Sequence, residues 1–248
     1  MSYTLFLNSG DRIYQNEPST DFSVLDIQGM YSGFEKDISL SQVTIPNSIY
    51  SINDNNNTFT LTSSSLGATG GIDVSLTNGN YDNNTFTTEL TTQLNSLSLG
   101  ATFLISINAI QQKLSITSST GDFTISSDNQ NYIYLGLNKD TSKTSSSSVW
   151  TSNNVIDLSG TRFIDFIIDL PLASNNNKNL NKNILARIWK NSNAYDTIFY
   201  NNNDFNFIKL LTTSFNGLRI KFIDEWGNLL DLNGLDWDCV LELRLQNK

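Results

Sequence analysis

The sequence predicts a mainly β protein, a β-sandwich interrupted by a small inserted α+β domain with one helix. Three observations lead there. From Trp237 the side chains alternate: Trp237, Cys239, Leu241, Leu243 and Leu245 point one way, and Asp238, Val240, Glu242 and Arg244 the other. That is the period of a strand with one buried and one solvated face. Similar short apolar runs, bounded by Gly, Pro and Asn, recur along most of the chain. Only Phe86, Leu90, Leu94 and Leu97 fall on a convincing helical stripe.

Composition bounds the problem. The chain has 248 residues, enough for one large β domain or two small ones. Hydrophobic residues make up 38% and charged residues 16%, both low, with Asn, Ser and Thr filling the difference. Aromatics at 11% and β-branched residues at strand spacing argue against disorder. The net charge is −9 and the basic residues are scattered, so nucleic acid is not an expected partner. A lone cysteine, Cys239, permits no intrachain disulfide and reads as a small buried hydrophobe. The N-terminal residues lack the pattern of a signal peptide. No apolar run approaches the roughly 20 residues of a membrane span. A cytosol-like compartment is expected.

The elements follow in order. Residues 3–8 form a strand, Ser9-Gly-Asp-Arg12 a turn, and Asp21 to Leu25 a second strand. Gly29 and Gly33 punctuate a loop. From Asp37 to Ile45, Ile38 and Leu40 alternate, then Val43 and Ile45 alternate one register off, the mark of a β-bulge. Pro46 closes this strand. A compact β-β-α-β-β-β module then spans roughly 55–137. Its helix has Asp82, Asn83 and Asn84 as cap choices and Gly100 as its stop. Residues 131–137 read as its last strand. Asp140 to Ser148 is a polar, low-complexity linker.

Strands resume with 155–158 and 163–170. The second is apolar on both sides, through Ile164, Phe166 and Ile168 on one and Phe163 and Ile167 on the other, so both sides should be covered. After Pro171 and an Asn/Lys loop at 175–183, strands are expected at 184–190, 198–200, 207–211, 218–223 and 237–245. A polar turn at Asp224-Glu-Trp-Gly-Asn228 makes the last two a terminal hairpin. The expected domains are 1–52 and 150–248, flanking an inserted α+β domain with its linker at 53–149. Neither flank closes a sandwich alone. Together they supply about eight strands, the number of a single jelly roll.

Several segments carry a resemblance. They are Ser9-Gly-Asp-Arg12, Val43-Thr-Ile-Pro-Asn-Ser-Ile-Tyr-Ser-Ile52, Gly79-Asn-Tyr81 before the helix, Tyr134-Leu-Gly-Leu137, Asp224-Glu-Trp-Gly-Asn228 and Asn233-Gly-Leu-Asp-Trp-Asp238. In order and spacing the chain resembles the minor capsid (penton) proteins of virophages and the related Polinton-type viruses, over most of its length. The resemblance implies a structural viral protein of the virion, a single jelly roll forming a homopentamer at the fivefold vertices of an icosahedral shell. It would contact the major capsid protein, and the inserted domain would project outward or meet its copies. Assembly in the host cell cytoplasm goes with it.

The residues offer little to catalysis. With no histidine, nucleophilic triads and His-based zinc sites of the ordinary kind are excluded, and one cysteine makes no thiolate zinc site. Asp224, Glu225, Asp231, Asp236 and Asp238 cluster near the last hairpin. A glycosidase needs two carboxylates held across a bond, but turn carboxylates usually bond nearby backbone amides. Asp231 to Asp236 lacks the spacing and terminal Glu of an EF-hand, and Asn53 to Asn57 holds one carboxylate. No catalytic, metal or cofactor site is expected. Trp150, Trp189, Tyr195 and Trp226 lie in or beside loops, where aromatics stack on sugars, fill subunit contacts or pack on their own domain. Trp237 belongs to the core. The alternative function is a jelly-roll module that binds glycans or a receptor.

Overall fold

The computed structural model describes residues 2–24, 35–127, 130–173, 183–204, 206–212 and 217–246. The expected loop glycines Gly29 and Gly33, and nearly all of the Asn/Lys loop at 175–183, lie outside these. The chain divides into two compact units, Met1–Ile49 with Thr161–Lys248, and Tyr50–Gly160.

Strands β1 (Ser2–Asn8), β2 (Asp21–Val24) and β3 (Glu35–Pro46) open the first unit. The middle unit runs β4 (Thr58–Ser63), β5 (Ala68–Ser75), helix α1 (Asn83–Ser96), β6 (Phe103–Ile107) and β7 (Leu114–Ser118). It continues with β8 (Thr124–Ser126), the one-turn helix α2 (Tyr132–Leu135), β9 (Ser142–Thr144) and β10 (Val149–Thr151). The first unit resumes with β11 (Phe163–Ile168), β12 (Ile184–Trp189), β13 (Thr197–Asn201), β14 (Ile208–Leu210), β15 (Leu218–Ile223) and β16 (Asp238–Gln246).

In the first unit one sheet has the order β1-β16-β3-β13, with β14 also on β3, and the other has the order β12-β11-β15-β2. Every pairing is antiparallel, and the partners nest along the chain: β1 with β16, β2 with β15, β3 with β13 and β14, β11 with β12. A chain paired this way is one long hairpin rolled until its layers face each other, which is a jelly roll. The middle unit leaves between β3 and β11, the third and fourth strands of that roll.

The inward faces are those the alternation marks. Trp237, Cys239, Leu241, Leu243 and Leu245 are all buried. The bulge in β3 lies where its phase slips: Val240 pairs with Gln42 but Leu241 with Leu40, leaving Ser41 as the extra residue. The slip lets Ile38, Leu40, Val43 and Ile45 all enter the core. At one end of that core the Trp237 ring lies 4.4 Å from Phe222, 5.7 Å from Phe22 and 5.9 Å from Phe166. Its indole N–H donates to the Ser19 carbonyl at 2.6 Å, so this buried aromatic leaves no polar atom unpaired.

The expected terminal hairpin is not formed. β15 and β16 belong to opposite sheets, and the connection between them crosses from one layer to the other, with Leu230 and Leu232 buried on the way. Alternation specifies which face of a strand is buried, not which strand lies beside it. β16 takes the first strand of the chain and β3 as neighbours instead.

The middle unit holds its own core. Its sheets run β10-β7-β6 and β5-β4-β8-β9, and Phe86, Leu90 and Leu94 of α1 are buried among Phe59, Phe103 and Trp150. Asp82 caps α1, accepting from the Asn84 and Thr85 amides, while Thr85 accepts from the Asp82 amide. The helix ends before the expected glycine, because Ser98 already takes the left-handed conformation at φ 54°.

Three expectations for residues 131–158 fail. Residues 131–137 form no strand: Tyr132–Leu135 is a helical turn ended by Gly136 at φ 63°. The apolar spacing there also fits one short helical turn, and the left-handed glycine selects it. The expected linker at 140–148 contributes β9, paired with β8, because Ser and Thr satisfy a ladder as well as they satisfy a loop. Residues 155–158 carry no strand. Residues 150–160, expected in the second β block, group with the middle unit; β10 pairs with β7, and Trp150 is buried in that core.

Gly136 answers to two constraints. Its φ is positive, and a Cβ there would lie 2.5 Å from the Asn154 carbonyl oxygen. Gly136→Ala is expected to cost about 1–2 kcal/mol from the backbone alone, and more from the clash. Thermal unfolding measures it; a variant as stable as the parent would contradict this geometry. Among the described residues no helix is long and apolar enough to cross a membrane.

Candidate functional site

The carboxylates near the end of the chain do not converge on a common centre. Asp224 accepts from the Trp226 and Asn228 amides and from the Asn228 side chain. Burial pushes its carboxyl above the usual range, against those hydrogen bonds. Glu225 binds the Arg162 backbone and side chain. Asp231 accepts from the Asn233 amide, Asp236 from Ser9 and Arg12, and Asp238 from Asn8. In the Asn53–Asn57 turn, the Asn53 and Asn56 side-chain oxygens accept amides of the same turn. Among the described residues no three His, Cys, Asp or Glu side chains gather as a metal would require. Cys239 is buried in β16, and desolvation raises its thiol pKa far above the ordinary value, which removes its nucleophilicity.

Motifs far apart in sequence meet in this part of the sandwich. The Ser9 hydroxyl donates to Asp236 and accepts from the Trp237 amide, and Arg12 also binds Asp236. Ser48 donates to the Leu232 carbonyl, and Asn233 returns a bond to the Ser48 carbonyl. These bonds satisfy the backbone of the long connection ahead of β16. Their role is to lock the fold.

The surface chemistry lies on the outer faces of the two sandwich sheets. On the β1-β16-β3-β13 sheet Phe6 is 79% exposed and Phe199 52%. Register puts Phe6 beside Val240 and Gln42, and Phe199 in the next row with Thr44, Asp238 and Asn8. A shallow hollow of about 340 Å³ lies among Phe6, Gln42, Thr44, Asp238 and Val240. Asp238 and Glu242 on this face accept from the neutral Asn8 and Thr4 side chains, and Arg244 stands exposed on the same face of β16.

The outer face of the β12-β11-β15-β2 sheet is different. Trp189, 63% exposed, stands edge-on to Phe163 with centroids 5.4 Å apart. The Arg187 guanidinium lies 3.8 Å over the Phe163 ring. It grips Asp165 through two bonds of 2.7 and 2.9 Å, a bidentate geometry that raises the Arg187 pKa. Ile167, Ile184 and Ile223 form a small buried cluster of their own. Thus the second apolar side of β11 is covered partly by its own sheet neighbours.

Arg187→Ala would leave the Asp165 carboxylate buried without its cation. The expected cost is about 2–3 kcal/mol, below that of a fully buried pair because Arg187 is partly exposed. Asp165→Ala should cost less, about 1 kcal/mol, since it strands a group that water still reaches. Denaturant midpoints would rank the two; equal losses would contradict the asymmetry.

The loop aromatics divide by fate. Trp150 is core and Trp226 half-buried, while Trp189 and Tyr195 are exposed. Phe6 and Phe199 are exposed on strands and stand outside the set of loop aromatics. Their signal was parity: each sits between apolar neighbours that face the core, so each must face out.

No protein-family model and no curated protein sequence matches this chain. Among solved structures, the mavirus penton protein aligns over 99% of this chain and 100% of its own, at 13% identity and a TM-score of 0.55. A chain of the Sputnik virophage structure aligns over 98% of this chain and 97% of its own, at 15% identity and a TM-score of 0.48. The fold of this protein, with both units included in the alignment, is that of the mavirus penton protein.

Proposed function

We propose that the protein is a structural capsid subunit of a virophage-like virus, a penton. Five copies would form a homopentamer at the fivefold vertices of an icosahedral shell and contact a major capsid protein around them. It would reside in the virion after assembly in the host cell cytoplasm. The observation that carries this reading is the end-to-end fold correspondence with a penton protein. Two features of the site agree with it. The carboxylates are spent on local hydrogen bonds rather than aimed at a substrate. The sandwich also exposes large aromatics on both outer faces, and aromatics are enriched in interface cores.

Light scattering of the purified protein across a concentration series tests it, followed by binding to major capsid protein. A five-subunit mass, or stable capture by that coat protein, is expected. A chain that stays monomeric at high concentration and also fails to bind the coat protein contradicts the reading. A trimer would favour a receptor-binding head instead.

A further inference from the structure

We infer that the β1-β16-β3-β13 sheet continues from one copy of the protein to the next, the β13 edge of one subunit pairing antiparallel with the β1 edge of its neighbour. This rests on the reading of the protein as a self-associating capsid subunit. It adds which strands meet, in which direction and in what register.

The two sandwich sheets treat their edges differently. An edge strand offers unpaired N–H and C=O groups to any other strand, and natural proteins blunt it with charge, proline, bulges or short length. The β12-β11-β15-β2 sheet is blunted at both ends. β12 carries Arg187 and is bulged at Leu185. β2 is short and opens on Asp21, which is ion-paired with Arg219 and Lys221. The other sheet has no such device at β1 or β13. Ser2–Asn8 and Thr197–Asn201 contain no charge and no proline, and each pairs with its neighbour without a register shift. Lys209 stands on β14, which pairs further back along β3.

The free backbone groups follow from the ladder. The Ser9 amide donates to the Trp237 carbonyl, and the Asn202 amide to the Ser41 carbonyl. Hydrogen-bonded and non-bonded pairs alternate in antiparallel sheets. Leu5 and Leu7 therefore bond β16, and Ile198 and Tyr200 bond β3. Thr4 and Phe6, like Thr197, Phe199 and Asn201, aim their backbone groups away from the sheet, and their side chains lie on its outer face.

Successive strands of the sheet alternate in direction, so β13 runs opposite to β1. A second copy set beside β13, with its sheet facing the same way, therefore presents β1 antiparallel to β13. Free backbone groups then meet free backbone groups. Setting Phe199 opposite Phe6 of the next copy puts Thr197 opposite its Asn8 and Asn201 opposite its Thr4. On the inner side Ile198 meets Leu7, and Tyr200 meets Leu5. Leu5, Leu7 and Tyr200 are half-buried where they pack on the sandwich core, and an added strand completes their cover. Sliding the register one repeat sets Asp196 against Leu7 in one direction and Ile198 against Ser9 in the other. Pairing two β1 edges would leave β13 open. The head-to-tail pairing covers both edges with one kind of contact, and such heterologous contacts close into a ring when the rotation allows.

The test measures association with and without coat protein. Thr4→Pro and Asn201→Pro each remove an amide that points away from the sheet, so neither costs the subunit a ladder bond of its own. Melting at the parent temperature checks folding. Each is expected to need at least about tenfold higher concentration to associate, while Thr4→Val, which keeps the amide, associates as the parent does. Thr4→Cys and Asn201→Cys in one chain set two thiols opposite each other across the contact, with Cα atoms about 5.5 Å apart, within disulfide range. Inside one subunit the two positions lie on opposite edges of the sheet, more than about 14 Å apart. The native Cys239 is buried and does not compete. Mild oxidation of the double variant is expected to give a reducible ladder of linked subunits, and neither single cysteine variant should give one. Proline variants that associate at the parent concentration overturn the pairing and leave the capsid-subunit reading standing. So does a missing ladder while the parent assembles, or a disulfide dimer of Thr4→Cys alone, which would mean that two β1 edges meet. A parent that associates under neither condition overturns both.

Discussion

Trp237→Ala is expected to cost the sandwich about 3–5 kcal/mol, a large part of the roughly 5–15 kcal/mol that holds a typical domain together. The ring sits among Phe22, Phe166 and Phe222, drawn from both sheets. Its removal opens a cavity that two stiff sheets cannot collapse to fill. It also leaves the half-buried Ser19 carbonyl without its donor. Trp237→Phe should recover part of the packing and none of that hydrogen bond, and so fall between parent and alanine. Urea unfolding followed by near-ultraviolet circular dichroism orders the three. A Trp237→Ala protein within about 1 kcal/mol of the parent would mean that the sandwich core is organised elsewhere.

Trp150→Ala should have an effect of the same size, about 3–5 kcal/mol, in the middle unit. The side chain is fully buried in a core distinct from that of the sandwich, and its N–H donates to the Lys143 carbonyl at 3.0 Å. That bond ties β10 to β9, so truncation loosens the segment 142–151 along with the core. Amide hydrogen exchange separates the two variants. Trp150→Ala should raise exchange across residues 50–160, and Trp237→Ala across the sandwich strands. Faster exchange outside 50–160 as the main effect of Trp150→Ala would contradict the assignment of that ring.

Much of the fold follows from parity alone. A strand with one buried face must alternate, so β16, β15, β4 and the bulged β3 could be read from side-chain order with their inward residues correct. Helix α1 announced itself by a different period, and Asp82 stood among its three cap choices. The carboxylate-rich turns read as turns, since Asp and Asn next to Gly bond their own backbone.

What parity leaves open is partnership, and that is a tertiary matter. Chain order suggests β15 as the partner of β16; the structure puts β16 between β1 and β3. Pairing β1 with β16 closes a very long loop, and no local pattern records the free energy of that closure. The same ignorance hid the middle unit's last strands, since the Ser/Thr run of β9 becomes a strand only because β8 lies beside it. Trp150 looked like a loop aromatic until β7 gave its strand a place. The outer faces needed both levels. Phe6 and Phe199 are outward by local alternation, yet only the rolled pairing of the sheets sets them near Asp238. Likewise Arg187 meets Phe163 and Asp165 because β12 pairs with β11. The sequence alone determined which side chains must be buried. The rolled sandwich decided which exposed ones stand together, because neighbours across a sheet are chosen by chain topology rather than by chain order.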